Sequence, residues 1–360
     1  MTETDPEGRP LRRGWTTGAC ATAATRAALL ALLGDGFPDP VTITLPGGQQ
    51  PAFALAREQL GQGFAEAGIV KDAGDDPDVT HGALVIARVE PAPAGTGIGF
   101  RAGPGVGAVT RPGLPLAVGE PAINPVPRRM MREVIETVAA AHHRAPDFLV
   151  TISIPDGERL AEKTWNPRLG IFGGLSILGT TGIVIPYSCA AWIASIQRGV
   201  DVARAMGLTH LLGATGDASE KAALQRLGLP LEAAIDMGDF VGGLLKYVRR
   251  HPVARLTIAG GFAKMAKLGQ GVMDLHSSRS TVDFDALADL LAGLGAPLAT
   301  IAAARHANTA MEVLNLAAGL PLASAVAARA RDAAQRLVGD LTRIDVLVTD
   351  RAGAIVGEAS

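Results

Sequence analysis

Hydrophobic and polar positions along the chain fall into two textures. In the first, Ala19 to Leu33 is an unbroken run of helix formers that stops at Gly34, which predicts a helix closed by a C-terminal glycine. Val41 to Leu45 and Ala83 to Val89 are short and rich in β-branched residues, with Gly, Pro and Asp clusters between them, so they predict strands joined by long loops. Gly95 to Pro127 holds too much Gly and Pro for regular helix, Arg128 to Ala141 is again helical, and FLVTISI from Phe148 to Ile154 predicts a strand ending at Pro155. From about residue 188 the pattern alternates. Helices are expected at Ala190 to Met206, Ser219 to Leu227 and Phe240 to Arg249, and strands at Thr209 to Leu212, Ala254 to Ala259 and Ile344 to Thr349, the last partnered by Ala354 to Glu358. Alternation of this kind implies a mostly parallel sheet covered by helices. The expectation is therefore a two-domain α+β / α/β protein, with an N-terminal α+β domain over residues 1–187 and a C-terminal Rossmann-like α/β domain over residues 188–360.

Composition narrows the function classes. The chain has 360 residues, 48% hydrophobic and 19% charged, which supports a large core and excludes disorder. Its 33 Lys and Arg against 35 Asp and Glu supply no field for a polyanion, so nucleic acid is not an expected partner. Cys20 and Cys189 belong to no C-x-x-C pair, which leaves a disulfide framework or structural zinc without support and fits a reducing cytoplasm. The leader MTETDPEGRP is acidic and polar where a signal peptide is basic and then apolar, and no apolar run is long enough to span a bilayer, so a soluble cytoplasmic protein is expected.

Four segments could carry chemistry. GGLSILGTTG, Gly173 to Gly182, offers backbone N–H groups at its glycines and hydroxyls at Ser176, Thr180 and Thr181, suited to a carboxylate or a cofactor's polar tail; the alternative is a buried turn. KDAGDDPD places Asp72, Asp75, Asp76 and Asp78 beside Lys71, and a metal cage, a general base with its partner, or a set of Asx turns all fit that run. At LLGATGDASE a strand meets a helix through Gly213 and Gly216, and Asp236 follows about 20 positions later, as in folds that bind an adenosine ribose. A plain turn is the alternative, since G-x-G-x-x-G is absent. The stretch from Lys264 to Arg279, with His276 and Ser277, joins Arg128, Arg129 and Arg132 as cations for a substrate bearing several carboxylates. No second His stands at metal-ligand spacing, so no protein-bound metal is expected. A G-x-S-x-G elbow and a P-loop are both missing.

LRRGWTTGACATAA (Leu11 to Ala24), KDAGDDPDVTHG (Lys71 to Gly82), GPGVGAVTRPGLP (Gly103 to Pro115), GEPAINPVPRRMM (Gly119 to Met131) and KTWNPRLGIFGGLSILGTTGIVIPYS (Lys163 to Ser188) together resemble the CbiD family of the anaerobic cobalamin pathway. One departure stands out. Where that family reads G-H-x-G-K-L-x-K, this chain has GGFAKMAK, with Gly261 in place of the His.

The resemblance implies transfer of a methyl group from S-adenosylmethionine to C1 of cobalt-precorrin-5B, giving cobalt-precorrin-6A. The partner it implies is a cobalt-bearing corrinoid precursor, with neither nucleic acid nor membrane involved and a homodimer left open. Asp72, Asp75 and His276 become the candidate proton acceptors. Gly173, Gly174, Ser176, Gly179, Thr180, Thr181, Gly213, Gly216 and Asp236 become the candidate cofactor contacts. For the carboxylate arms the candidates are Arg128, Arg129, Arg168 and Lys264, with Thr16 and Thr17 at the positive end of the first helix; Lys71, Asn124 and Ser277 complete that set. Thr16 or Thr17 as a plain N-cap is the simpler alternative. A nicotinamide-dependent reductase and a non-catalytic tetrapyrrole carrier are the competing functions.

Overall fold

A computed structural model describes residues 9–360; most of the leader read for targeting lies outside the described residues. The chain is a mixed α and β protein that divides into two compact units after Ser188.

In the first unit, helix α1 (Thr17–Leu33) starts two residues earlier than its apolar run, because Thr16 caps it by accepting the Ala19 N–H at 3.2 Å. Gly34 ends it in the left-handed region at φ 104°. The helix is buried almost all round: Ala19, Cys20, Ala21, Ala23, Ala24, Ala27, Ala28 and Leu29 have no exposed surface. Small side chains let it sit close against β2 (Phe64–Val70), β3 (Leu84–Pro91) and helix α2 (Pro125–Ala141). Buried Thr22 and Thr25 donate to the carbonyls four residues back, so neither hydroxyl is orphaned.

The sheet adds β1 (Arg57–Gly61), β4 (Ile98–Ala102) and β5 (Phe148–Ser153), in the order β1-β2-β3-β5-β4. All neighbours are antiparallel except β5 and β4, which run parallel with Phe148 opposite Ile98. A parallel pair needs a crossover, and α2 is its helix. α2 begins at Pro125, inside the stretch read as unsuited to helix, because a proline at the first helical position gives up an N–H that has no partner there anyway. The β1–β2 hairpin, turning at Gln62 and Gly63, has no counterpart in the sequence reading, and the strand expected at Val41 to Leu45 shrinks to Val41–Thr42.

In the second unit, β6 (His210–Ala214), β7 (Ala234–Asp236), β8 (Arg255–Gly261), β9 (Arg343–Thr349) and β10 (Ile355–Ala359) lie in the order β7-β6-β8-β9-β10. The first four are mutually parallel and β10 is antiparallel to β9. Helix α3 (Cys189–Ala205), α4 (Asp217–Leu227), α5 (Val241–Arg250), α6 (Phe262–Gly269) and α7 (Leu322–Val338) supply much of the packing. β7 and β8 flank β6 on opposite sides, so the chain leaves β6 one way and β8 the other.

Candidate functional site

Backbone hydrogen bonds draw the motif segments of the first unit together. The Trp15 N–H donates to the Asp72 carbonyl at 2.7 Å and the Asp75 N–H to the Arg12 carbonyl at 3.0 Å. The Thr16 N–H reaches the Gly182 carbonyl at 3.0 Å, and the Gly18 N–H reaches Leu178 at the same distance. Further in, Gly107 donates to Leu175, Ile177 to Ala122, and Asn124 back to Ile177, at 2.8 to 2.9 Å. Segments more than a hundred residues apart thus share one loop cluster. Glycine is required where they cross: a Cβ on Gly14 would lie 2.0 Å from the Ala73 carbonyl carbon, and one on Gly74 2.1 Å from the Arg12 oxygen.

The acidic run is spent on holding this cluster. Asp72 takes both ends of the Arg12 guanidinium and the Gly74 N–H. Those contacts, Arg12 foremost, hold its carboxyl at about 2. A general base works best with a pKa near the working pH, so the proton-acceptor role is corrected: Asp72 is a standing anion that anchors Arg12. Asp75 accepts the Arg12 N–H at 2.6 Å, and Asp76 the Tyr187 N–H at 2.8 Å. Asp78 accepts Lys71 Nζ at 2.7 Å and both donors of Thr80. Burial alone would raise Asp78, but Lys71 and Thr80 outweigh it and hold its pKa below the ordinary value. Of the three uses open for this run, turn-forming acceptors describe what the carboxylates do, and Lys71, 1% exposed, is unavailable to a substrate arm.

A depressed carboxyl pKa contributes stability that is complete above the unfolded value, near 3.9, and is lost as pH falls through the folded one. Wild type and Asp72→Asn should therefore differ by a constant stability above about pH 4 and converge as pH approaches 2. Unfolding midpoints measured across that range check this; a gap that widens toward acid contradicts it.

Thr16 and Thr17 are buried, and both serve the fold. Thr16 is the helix cap, while Thr17 Oγ1 accepts the Leu178 N–H at 3.1 Å and lies 3.2 Å from the Leu178 carbonyl. The plain N-cap, the simpler of the two readings, describes Thr16, and Thr17 anchors the loop at Leu178. The Arg128 guanidinium donates to the Ile123 and Pro121 carbonyls at 2.7 and 3.0 Å and lies 3.3 Å from Glu120, so it too braces the loop before α2. Asn124 sits before α2 without capping it by its side chain. Arg129 is 60% exposed, with Glu133 at 3.7 Å. The Arg168 carbonyl receives a long contact from Arg111 at 3.5 Å.

Within the glycine-rich loop, Gly174 and Gly179 are packing positions. A Cβ on Gly174 would meet the Gly105 backbone at 2.3 Å, and one on Gly179 would meet the Thr16 side chain at 2.3 Å. Gly173 and Thr180 face open space, Thr181 turns its hydroxyl to its own loop at Ile183, and Ser176 donates to Asn166 at 3.3 Å.

In the second unit, Gly213 is also corrected: it lies buried inside β6, where a Cβ would strike Leu244 at 2.5 Å. Gly216 and Gly261, at the carboxyl ends of β6 and β8, have nothing within 4 Å of a built Cβ. Asp236 ends β7, its Oδ1 accepting the Gly238 N–H at 3.3 Å. Lys264 Nζ donates to the Thr215 carbonyl at 3.0 Å and lies 3.0 Å from Asp239 Oδ1, so one ammonium on α6, the helix that directly follows β8, ties the loops after β6 and β7. The Asp239 contact is ionic, since that oxygen has no aligned hydrogen bond. Lys264, read as a substrate cation, thus also latches these loops, with its side chain 34% exposed. His276 Nδ1 accepts the Ser278 N–H at 3.2 Å and lies 2.7 Å from Ser278 Oγ. Ser277 is exposed beside it. Asp72 and Asp75 belong to the first unit and His276 to the second.

Sequence reading missed Arg12, Asn166 and Tyr187. Asn166, 6% exposed, donates to the Gly174 carbonyl at 3.1 Å and accepts from Ser176, which orders the loop from inside. A lone Asn in NPRLG gives no periodic signal, and the pairing of Arg12 with Asp72 spans 60 residues. Among the described residues, no helix is long and apolar enough to cross a membrane.

Comparison with known proteins gives consistent matches. The sequence pattern of CbiD matches residues 4–186, and that of the CbiD C-terminal domain matches residues 274–360. A cobalt-precorrin-5B C(1)-methyltransferase of Paramagnetospirillum magneticum is 65% identical over 350 residues, covering 97% of this chain and 98% of its own. The protein of that name from Rhodospirillum rubrum is 62% identical over 361 residues and 99% of both chains. A crystal structure of the cobalamin biosynthesis protein cbiD from Archaeoglobus fulgidus is similar at 28% identity, with a TM-score of 0.41 over 78% of this chain and 85% of that one.

Proposed function

This chain belongs to the CbiD family, and from that premise we propose that it is a methyltransferase acting on C1 of cobalt-precorrin-5B with S-adenosylmethionine as donor. The observation that carries the reading is likeness over 97% or more of the chain to relatives bearing that name. The cobalt ion belongs to the substrate, so the protein is not required to ligate it.

The residues at the carboxyl edge of the second unit fit the donor. Gly216 and Gly261 leave room beside β6 and β8, the positive end of α4 begins at Gly216, and Asp236 supplies a carboxylate for ribose hydroxyls. We read this unit as Rossmann-like on that arrangement. Once bound, the sulfonium supplies an already activated methyl group. The chain's own task is then positioning, which can lower the barrier by up to about 7–11 kcal/mol. Lys264 holds the loops after β6 and β7 against α6, and its neighbour Lys267 is buried with Nζ on the Leu275 carbonyl at 3.0 Å. In the first unit, Arg129 and Arg168 are the cations for the carboxylate arms, with Gly173 and Thr180 as open positions on the loop.

Incubation with methyl-labelled S-adenosylmethionine and cobalt-precorrin-5B should place label at C1 in a product that accumulates over many turnovers. Stoichiometric binding of the macrocycle without label transfer would make the protein a carrier and reject the enzyme. Consumption of a reduced nicotinamide in place of methyl transfer would support the reductase.

A further inference from the structure

We propose that Tyr187 is a macrocycle-binding residue, held in a strained backbone conformation so that its ring is presented to the corrinoid; this deepens the substrate reading above and rests on it. Among the described residues, three other than glycine have positive φ: His143 at 50°, Asp156 at 59° and Tyr187 at 54°. The first two have ordinary explanations. His143 directly follows the end of α2 and Asp156 caps the short helix Gly157–Ala161, and His and Asp tolerate this region. Tyr187 has neither excuse. It follows Pro186 in a turn, and a proline followed by positive φ is the pattern of a type II turn, whose third residue is normally glycine. The same loop does use glycine at positive φ, at Gly179 and Gly182. A bulky side chain is kept here at a cost.

The fold gives Tyr187 little packing return for that cost. The residue is 60% exposed, and among the described residues its ring has no aromatic or cation–π partner. Its backbone, in contrast, is pinned: the N–H donates to Asp76 Oδ1 at 2.8 Å, which fastens the turn to the loop cluster. Strain, exposure and a tether coincide at one aromatic residue in a chain with only two tyrosines. Strained backbone of this kind is retained where a site uses it, and an exposed ring offers a flat apolar face to a conjugated macrocycle. Asp76 is then a positioning residue that acts through the turn.

The test separates strain from binding. Tyr187→Gly should raise the unfolding midpoint by roughly 2–4 °C, since it relieves the positive φ, while weakening cobalt-precorrin-5B binding in equilibrium dialysis by roughly tenfold or more. Affinity for S-adenosylmethionine should not change. Tyr187→Phe should retain most of the macrocycle affinity, because the ring carries the contact, and Asp76→Ala should weaken macrocycle binding with Tyr187 intact. A Tyr187→Gly protein that binds the macrocycle as wild type does, or that melts lower than wild type, would overturn the proposal. The dialysis reads binding with or without turnover, so a wild type that binds cobalt-precorrin-5B but transfers no methyl group would refute the methyltransferase reading and leave this result standing by itself.

Discussion

Gly74→Ala is expected to remove nearly all activity, lowering turnover at least about a hundredfold, the loss that a displacement near 1 Å produces in a positioned site. Its Cβ would sit 2.1 Å from the Arg12 carbonyl oxygen, a backbone atom that cannot swing aside, at a φ of +68°. The clash costs about 1–3 kcal/mol and the left-handed conformation adds ~1 kcal/mol or more. The Arg12 and Asp72 segments must then part, which pulls on Trp15, Asp75 and the loop they dock. Gly48→Ala is the control: its φ is +83° but nothing lies within 4 Å of the built Cβ, so only the conformational penalty applies. Steady-state methyl transfer on both variants, with unfolding midpoints, checks the prediction. Equal activities would show that the crossing does not position the site.

The second large effect falls on stability. Asp78→Ala strands Lys71, which is 1% exposed and whose one side-chain partner among the described residues is that carboxylate at 2.7 Å. An unpaired buried charge costs about 3–5 kcal/mol, so the variant should unfold at markedly lower urea. Lys71→Met combined with Asp78→Asn removes both charges and keeps an acceptor for Thr80, and it should recover most of the loss. Urea unfolding of the single and double variants decides this. A double variant no better than Asp78→Ala would show that the charge pair is not the source of the cost.

The legible part of the fold was the part with a period. α1, α2, β5 and, in the second unit, α3, β6, α4, α5, β8, β9 and β10 follow from runs of helix formers and β-branched residues, and their observed ends differ from the expected ones by a few residues, whereas the short strand β7 and helix α6 were not expected. The β1–β2 hairpin was not legible because REQLG and FAEAGIV mix charge and glycine into strands that alternate only weakly. For the site, the motif segments were recognised as important, but their roles were assigned by residue chemistry alone. An aspartate reads as a base and an arginine as a carboxylate clamp until their partners are known. Arg12 on Asp72, Leu178 on Thr17 and the Ile123 carbonyl on Arg128 are contacts across long sequence separations or to backbone atoms, and no spacing rule encodes them. What the sequence reads as a set of ligand groups is in large part the frame that holds the loops.

We propose that the woven loops of the first unit receive the macrocycle. Amide hydrogen exchange with and without saturating cobalt-precorrin-5B tests it most directly. Slowed exchange concentrated in residues 72–82 and 176–187 is the predicted result. Unchanged exchange in both stretches, with protection appearing elsewhere on the chain, would contradict it.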